Sequence, residues 1–239
     1  MGIKVTVSQK DLPTKYKSYQ LIPTSDGISD TVYLLGDEYV LKVFENQTDE
    51  ENILKLLDGL CVPKVVESFF IEEKQALIYT QIKGSSSKLY SLEIVKFLKR
   101  MHQKTKGKST KNPMLFTQKN LEQMLKEADK EEFFSLYECI DISLKNDGII
   151  HGDLFPDNAK FIRDRLSGVY DFSEACEGDF YFDLAVVCFS FGADAKEVLR
   201  IYGADISEEE FREYLKFAKL YYSVSRYLHK QKDFREFLW

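Results

Sequence analysis

The octapeptide His151-Gly152-Asp153-Leu154-Phe155-Pro156-Asp157-Asn158 carries the most information in this 239-residue chain. It is followed by a strand-like run, Ala159-Lys160-Phe161-Ile162, a polar turn, and a second strand-like run, Gly168-Val169-Tyr170-Asp171-Phe172. Two short strand-like runs that are separated by a polar turn predict a hairpin. Such a hairpin would bring Asp171 back to the octapeptide, so this segment predicts that two carboxylates and an amide meet at one point.

The octapeptide fits H-x-D-L-x-x-x-N, the pattern of the kinase catalytic loop. Phosphoryl transfer depends on positioning and charge neutralisation, so it needs a proton acceptor for the attacking hydroxyl and oxygen ligands for Mg²⁺. We predict that Asp153 is the base and that Asn158 and Asp171 hold the metal ion. Polar residues in turns explain any one of these positions, but they do not explain the ordered set.

The three histidines are interpreted as structural residues. His151 is predicted to brace the catalytic loop by hydrogen bonding rather than to act as a general base. His102 and His229 lie in helix-like segments and have no acidic or cysteine partner at useful spacing, so we interpret them as surface or core residues.

The first 80 residues should then supply the contacts to ATP. Lys42 lies within the apolar run Val40-Leu41-Lys42-Val43-Phe44, which is typical of the phosphate-pairing lysine on the third strand of kinases. The alternative is a lysine on an edge strand that faces water. The preceding turn, residues 25–30 with Ser29, is predicted to cover the phosphates through backbone N–H groups.

A carboxylate should pair with Lys42. The pattern Thr48-Asp49-Glu50-Glu51 is a capping box, so it predicts that a helix begins at Thr48. The capping box already explains Glu51, which favours Glu50 as the partner of Lys42 and leaves Glu51 as the open alternative.

The predicted secondary structure changes from strands to helices near residue 84. Strand-like runs occupy residues 31–35, 39–44, 68–71 and 76–79, whereas helix-like runs occupy 92–102, 121–144 with a break near Lys130, and 208–228. The pattern predicts an α+β fold with two lobes. Residues 1–82 would form a nucleotide-binding lobe with an antiparallel sheet and the hinge, and residues 83–239 a helical catalytic and substrate lobe.

Composition excludes several classes of protein. Apolar residues make up 44% of the chain and no run of 18 apolar residues occurs, so no membrane partner is predicted. The four cysteines form no C-x-x-C pair, and the first residues lack a signal-peptide core, so we expect free thiols in a cytoplasmic protein. The net charge of −6 argues against a general nucleic-acid binder.

The chain resembles the aminoglycoside phosphotransferase and choline kinase group, which has a protein-kinase-like fold. Residues 27–35 and 62–65 resemble the nucleotide loop and the segment after the first helix of the aminoglycoside enzymes. The octapeptide with residues 165–172 is similar to bacterial homoserine kinases. Gly178-Asp179 and Asp183-Leu184-Ala185 resemble the acidic segment of the whole group.

The resemblance implies roles for further residues. It implies that Asp183 hydrogen-bonds the catalytic loop and supports it structurally. It also implies a hinge whose backbone groups hold adenine, and an acidic surface that holds the acceptor. The hinge would be Thr80, Gln81 and Ile82; the acceptor residues would be Asp157, Glu174 and Glu177, with the run Glu208-Glu209-Glu210. For that run, a favourable acidic cluster at a helix N-terminus is an equal alternative.

The acceptor is predicted to be a small molecule. Only twelve positions separate Asp171 from Asp183, and no A-P-E motif follows, so a peptide-docking segment has little room. We expect ATP- and Mg²⁺-dependent transfer to a hydroxyl of an amine-bearing molecule, a homoserine-like amino alcohol or an aminoglycoside-like amino sugar. The oligomeric state, monomer or dimer, is left open.

Two other functions compete with this one. The first is a non-catalytic, pseudokinase-like nucleotide-binding module, against which the intact set of Lys42, Asp153, Asn158 and Asp171 counts. The second is an RNA-associated kinase, because residues 83–111 carry nine basic side chains against one acidic. No aromatic residues interleave with the lysines from Lys99 to Lys111, so bases would have no stacking platform, and a solvated loop is favoured.

Overall fold

The computed structural model describes residues 4–24 and 30–238. Its N-terminal part contains a five-stranded sheet in the order β1-β2-β3-β5-β4, in which all neighbouring strands are antiparallel. The strands are β1 (Leu21–Pro23), β2 (Thr31–Leu35), β3 (Tyr39–Val43), β4 (Val65–Ile71) and β5 (Lys74–Thr80). This sheet, with the helices that follow it, confirms the predicted α+β class.

The register of the sheet places Lys42 at its centre. Lys42 on β3 lies between Val32 on β2 and Leu77 on β5, and it is only 7% exposed. Because side chains alternate between the faces of a strand, Leu41 and Val43 enter the core on one face while Lys42 points to the other. The alternative of a water-facing lysine on an edge strand is therefore wrong.

The first α-helix, α1 (Glu50–Leu56), begins two residues later than the capping box predicted. The Glu50 backbone N–H donates to Thr48 Oγ1, but the Glu51 carboxylate accepts from Lys55 Nζ at 2.7 Å and does not return to Thr48. The capping-box prediction is wrong because a lysine one turn later in the helix offers Glu51 an ion pair. Glu50 lies buried in the first turn.

The remaining helices follow from residue 92 onward. They are α2 (Leu92–Thr105), α3 (Gln118–Ala128), α4 (Glu131–Glu138), α5 (Phe180–Phe191), α6 (Ala195–Tyr202) and α7 (Glu208–Leu228). The break near Lys130 is confirmed, since Asp129 adopts left-handed φ and ψ between α3 and α4. Helix does not extend to residue 144, however, because α4 ends at Glu138 and residues 140–147 are irregular.

Two short antiparallel ladders hold the octapeptide. One joins β6 (Gly148–Ile150) to β9 (Cys176–Gly178), and the other is the hairpin of β7 (Ala159–Ile162) and β8 (Arg165–Val169). The octapeptide connects β6 to β7, and Asp171 follows β8 by two residues. The predicted hairpin is therefore confirmed, and it returns Asp171 to the octapeptide.

Two hydrophobic cores lie on opposite faces of the sheet. The smaller one packs residues 5–16 against Leu41, Val43, Ala76 and Ile78. The larger one includes Leu77 and the side chains of α1, and it continues without interruption into the helices of the C-terminal part. The lobe boundary at residues 82 and 83 stays a prediction.

Within residues 4–24 and 30–238, no helix has both the length and the apolar character that a bilayer crossing needs. All four cysteines are free. Cys176 and Cys188 are buried, and Cys139 is exposed.

Candidate active site

The side-chain amide of Asn158 fixes the conformation of the catalytic loop, residues 151–158. The Asn158 side-chain N–H₂ donates to the Asp153 carbonyl at 2.8 Å and to Asp153 Oδ2 at 3.0 Å. Gly152 turns the chain with φ +78°, and a Cβ at this position would collide with the ring of Phe116. The Tyr222 hydroxyl donates to the Gly152 carbonyl. The loop therefore presents the Asp153 carboxylate in one fixed orientation.

Asp183 on α5 fastens the loop from behind. Its side chain is fully buried, and it accepts the backbone N–H of His151 at 2.8 Å and of Gly152 at 2.7 Å. Hydrogen bonds to a carboxylate are stronger than those between neutral groups. The contact has the form that the resemblance implied for Asp183.

His102 on α2 gives Asp183 a third partner that sequence reasoning missed. Its ring is buried, with Nε2 3.0 Å from Asp183 Oδ2 and Nδ1 2.9 Å from the Tyr202 hydroxyl. The ring also stacks on Phe180, with centroids 4.1 Å apart. Asp183 lies 81 positions away in the chain, so no local spacing revealed the pair. The available signal was the place of His102 on the apolar stripe of α2, where a polar ring needs a partner.

His151 braces the loop, as its predicted role requires. The ring is fully buried; Nε2 lies 3.2 Å from the Tyr170 carbonyl oxygen, and Nδ1 lies 3.3 Å from the Asp153 backbone nitrogen. Burial lowers the pKa of this histidine, although the nearby Asp183 charge and the Tyr170 carbonyl act in the opposite direction. A neutral ring that donates from Nε2 and accepts at Nδ1 satisfies both contacts.

The Lys42 ammonium lies among three carboxylates from three parts of the chain. Lys42 Nζ is 2.6 Å from Asp171 Oδ1, 3.4 Å from Glu50 Oε2 and 3.4 Å from Asp30 Oδ2. Glu50, and not Glu51, is therefore its partner on α1. Glu50 Oε1 also accepts the backbone N–H of Phe172 at 3.1 Å, so it ties α1 to the segment that carries Asp171.

Lys42 and Asp171 stabilise each other's charged form. Burial disfavours the charged Lys42, but Asp171, Glu50 and Asp30 more than offset it and raise the pKa of Lys42. Burial also disfavours the charged form of Asp171 and raises its pKa. The charge of Lys42 and the hydrogen bond from it have the larger effect, and they lower the pKa of Asp171 to about 2. Glu50 behaves differently, because burial raises its pKa despite Lys42. Asp30 is the member that the sequence did not identify.

Asp153 has the electrostatic character of a proton acceptor. Withdrawal from water raises the pKa of Asp153 well above its usual range, and the negative charges of Glu174, Asp171 and Asp157 raise it further. A general base works best when its pKa approaches the working pH. The site therefore combines a basic carboxylate with an excess of negative charge that a cation would offset.

The oxygen atoms that remain free suit a magnesium ion. Asn158 Oδ1 and Asp171 Oδ2 have no hydrogen-bond partner among the described residues, because Asn158 donates through Nδ2 and Asp171 is engaged through Oδ1. Mg²⁺ in kinase sites takes one or two carboxylates together with phosphate oxygens and water. Over the described ranges, no group of three His, Cys, Asp or Glu side chains is placed to hold a metal.

The predicted hinge offers one free donor. The backbone N–H of Thr80 is bonded to the Lys64 carbonyl at 2.9 Å, and that of Gln81 to the Glu38 carbonyl at 2.8 Å. The N–H of Ile82 has no acceptor in the part of the chain that the structure describes. Of the three hinge residues, only Ile82 can offer its N–H to a nucleotide base. Ser29, the predicted phosphate contact, lies outside the described residues.

The three predicted acceptor residues are not all brought together. Asp157 and Glu174 are exposed and close enough to Asp153 to raise its pKa. Glu177 lies elsewhere: on β9 its carboxylate accepts from Asn146 Nδ2 at 2.9 Å and from the Thr110 backbone N–H at 3.4 Å. Its placement in the acceptor site is therefore corrected, because the pairing of β9 with β6 turns this side chain toward other partners.

The acidic run before α7 also has a local explanation. Glu210 forms a reciprocal capping box with Ser207, and Glu208 and Glu209 share the first turn of the helix. Acidic side chains there are favoured by the helix dipole. The structure thus supports the helix-start alternative for this run.

Comparison with known proteins places the chain among phosphotransferases. A model described as "Phosphotransferase enzyme family" matches residues 20–218. The GDP and kanamycin complex of APH(2")-IIia superposes with a TM-score of 0.70 at 15% identity, over 92% of this chain and 90% of that one. Choline kinase from Streptococcus pneumoniae superposes with a TM-score of 0.59 at 20% identity, over 89% of each chain. These similarities confirm the protein-kinase-like fold.

A closer but much shorter similarity links the chain to homoserine kinases. The homoserine kinase of Parvibaculum lavamentivorans is 62% identical over 39 residues, which are 16% of this chain and 12% of that protein. The chain thus matches only about an eighth of the length of this curated relative. Together, the three findings confirm the resemblance that the motifs indicated.

Proposed function

Because this chain belongs to the phosphotransferase enzyme family, we propose that it is an ATP-dependent kinase that phosphorylates a hydroxyl of a small, amine-bearing molecule. One observation carries the proposal: Lys42 and Glu50 from the sheet side converge on Asp171, next to the Asp153–Asn158 pair of the catalytic loop. A lysine, a base and two oxygen ligands are the set that phosphoryl transfer requires.

Asp153 is assigned the central step. The acceptor hydroxyl would hydrogen-bond to the Asp153 carboxylate, which orients its oxygen toward the γ-phosphate and takes its proton during attack. The bond from Asn158 Nδ2 to Asp153 Oδ2 leaves Oδ1 as the oxygen for the substrate. When bound, Mg²⁺ supplies neutralisation of the phosphate charge, and Asn158 Oδ1 and Asp171 Oδ2 are the atoms that would hold it.

Lys42 is assigned to the α- and β-phosphates of ATP. Glu50 and Asp30 each lie 3.4 Å from its ammonium and favour its place inside the cleft. The Lys42–Asp171 pair would separate as phosphate oxygens replace Asp171 at Lys42, which frees Asp171 for the metal ion. Ile82 would bind adenine through its unpaired N–H.

An amine-bearing acceptor follows from the charge around Asp153. Asp157 and Glu174 add exposed carboxylates beside the base, and the negative charges of both raise the pKa of Asp153. A positively charged substrate would offset this charge. Homoserine, choline and kanamycin, which appear in the names of the relatives, all carry a nitrogen cation and a hydroxyl. A role for ATP and free thiols is also consistent with a cytoplasmic protein.

The experiment is coupled ATP turnover with Mg²⁺ across homoserine, choline, ethanolamine, amino sugars and aminoglycosides. Matched neutral alcohols, such as glucose against glucosamine, serve as controls for the amine. We expect ADP release that depends on an amine-bearing acceptor and is lost in the Asp153→Asn variant. Equal turnover of neutral and amine-bearing acceptors would contradict the acceptor class. ATP binding without turnover on any acceptor would favour the non-catalytic module.

A further inference from the structure

A cavity that neither Lys42 nor Asp153 lines lies among the helices of the C-terminal part. It has a volume of about 350 Å³, which is within the size range of small-molecule sites. Four parts of the chain meet there: α2, the segment before β6, the start of α5 and the end of α6. The lining residues that matter are Lys99, Lys106, Lys145, Asp147, His102 and Tyr202.

The cavity is positively charged in an acidic protein. Lys99, Lys106 and Lys145 face a single carboxylate, Asp147, whose Oδ2 accepts the Phe180 backbone N–H. Within the described residues, none of these three ammonium groups lies within 4 Å of a carboxylate. Three lysines against one carboxylate are an excess of cations in the lining, within a chain whose net charge is −6, and such a lining favours an anionic ligand. Beyond the lining, Asp179 and Asp183 act on Tyr202, and Glu210 acts on Lys145. Two lysines of this lining, Lys99 and Lys106, belong to the basic segment of residues 83–111.

Lys99 lies beside the end of α6 at the cavity. Its Nζ lies 3.3 Å from the position that a Cβ on Gly203 would occupy, and Gly203 has a φ of +73° at the C-terminus of that helix. A lysine is favoured at this end of a helix by the dipole. The ammonium therefore has a reason to stay in place, while it keeps its remaining donors for a ligand.

Two chains of contacts lead from the cavity to the catalytic loop. In the first, the Tyr202 hydroxyl meets His102 Nδ1, and His102 Nε2 meets Asp183, which holds the His151 and Gly152 N–H groups. In the second, Lys106 pairs with Gly148 in an antiparallel bridge, only three residues before His151. A ligand at this cavity would thus touch groups that position the loop.

We propose that this cavity is a regulatory site for a small phosphate-bearing anion. Lysine binds phosphate as a point charge, and Tyr202 and Gln103 add neutral donors to the same lining. Asp183 only accepts, so His102 carries its proton on Nε2, and Nδ1 accepts the Tyr202 O–H. When the Tyr202 hydroxyl donates its hydrogen bond to a bound anion instead of to His102, Nδ1 loses its partner, which weakens the hold of His102 on Asp183 and lowers the turnover number.

Binding is tested with inorganic phosphate and pyrophosphate on the full chain, in the presence of saturating ADP so that the nucleotide site is filled. Phosphorus NMR and calorimetry report binding without any acceptor, so failure here is distinct from failure of the kinase proposal. We expect the Lys99→Gln/Lys145→Gln variant to bind at least about tenfold more weakly. Lys104→Gln, an exposed lysine of α2 that does not line the cavity, should leave the affinity unchanged.

The link to the loop is tested with Tyr202→Phe, which removes the hydroxyl and keeps the lysines. This variant should still bind phosphate, but phosphate should no longer shift the ¹⁵N resonance of His102 Nδ1 or lower turnover. Unchanged affinity in the double lysine variant, or an equal effect of chloride at matched ionic strength, would overturn the site. A full phosphate response in Tyr202→Phe would overturn the route through His102.

Discussion

Replacing Asp183 by asparagine tests whether this side chain fastens the catalytic loop. The carboxylate accepts three N–H groups: those of His151 and of the His102 ring at Oδ2, and that of Gly152 at Oδ1. The asparagine amide has a single oxygen. If that oxygen takes the place of Oδ2, its N–H₂ group opposes the Gly152 N–H, and one buried donor loses its partner.

The cost can be worked out from these three bonds. A hydrogen bond to a charged group contributes about 1.5–3 kcal/mol, and a neutral one about 0.5–1.5 kcal/mol. Losing one charged bond costs about 1.5–3 kcal/mol and converting two to neutral bonds costs about 1–1.5 kcal/mol each, which gives a loss of about 3.5–6 kcal/mol. Breaking a buried charged pair typically costs about 3–5 kcal/mol, which overlaps this range. Because whole domains are stable by only about 5–15 kcal/mol, the effect is large.

The assay is urea unfolding followed by circular dichroism, with the slope of the transition compared between proteins. Asp164→Asn, an exposed turn residue between β7 and β8, is the matched control and should change the free energy of unfolding by less than about 0.5 kcal/mol. A loss below about 1 kcal/mol for Asp183→Asn would refute the reasoning, since one unpaired buried N–H alone costs about that much.

Three further changes have expected outcomes. Because the pKa of Asp153 is raised in the folded state, native stability falls as the pH rises from the unfolded-state pKa of about 3.9 to the folded-state pKa, and this loss is complete above the folded-state pKa. Asp153→Asn should therefore abolish turnover, keep ATP binding, and be more stable than the parent at about pH 8 but not at about pH 4 in thermal melts. Gly152→Ala should lower the melting temperature strongly, because its Cβ meets the Phe116 ring at positive φ; an unchanged melting temperature would contradict the loop geometry. Asp30→Asn should tighten metal-free ATP binding by about tenfold in calorimetry, because one of the three charges that compete for Lys42 is removed; weaker or equal binding would count against it.

The parts of the site that the sequence predicted are marked by short, contiguous sequence patterns. The octapeptide and its hairpin are contiguous, so their chemistry and their geometry can be read together. Lys42 was recognisable because it lies in an apolar strand-like run and because the kinase motif downstream favoured a phosphate-pairing lysine over a water-facing lysine on an edge strand. Helix α7 was predicted to the residue, since its apolar stripe and its start are both well marked.

The parts that were missed depend on tertiary structure. Helix α5 is apolar around most of its circumference, so it has no 3.6-residue periodicity to detect. The contact between His102 and Asp183 joins residues 81 positions apart. Asp30 lies in a polar turn, and only the approach of β3 turns it into a neighbour of Lys42. For Glu177, the resemblance implied a place in the acceptor site, but the pairing of β9 with β6 gives its side chain other partners.

Asp183 holds the catalytic loop from the buried side, whereas the exposed side chains of Asp157 and Glu174 make none of the hydrogen bonds described for the loop. The two tasks can therefore be altered independently. Substitutions at Asp157 and Glu174 should leave folding almost untouched, within about 0.5 kcal/mol as for ordinary surface positions. A library randomised at these two positions would thus explore new acceptors on an intact scaffold, which makes this chain a suitable starting point for directed evolution of small-molecule kinases.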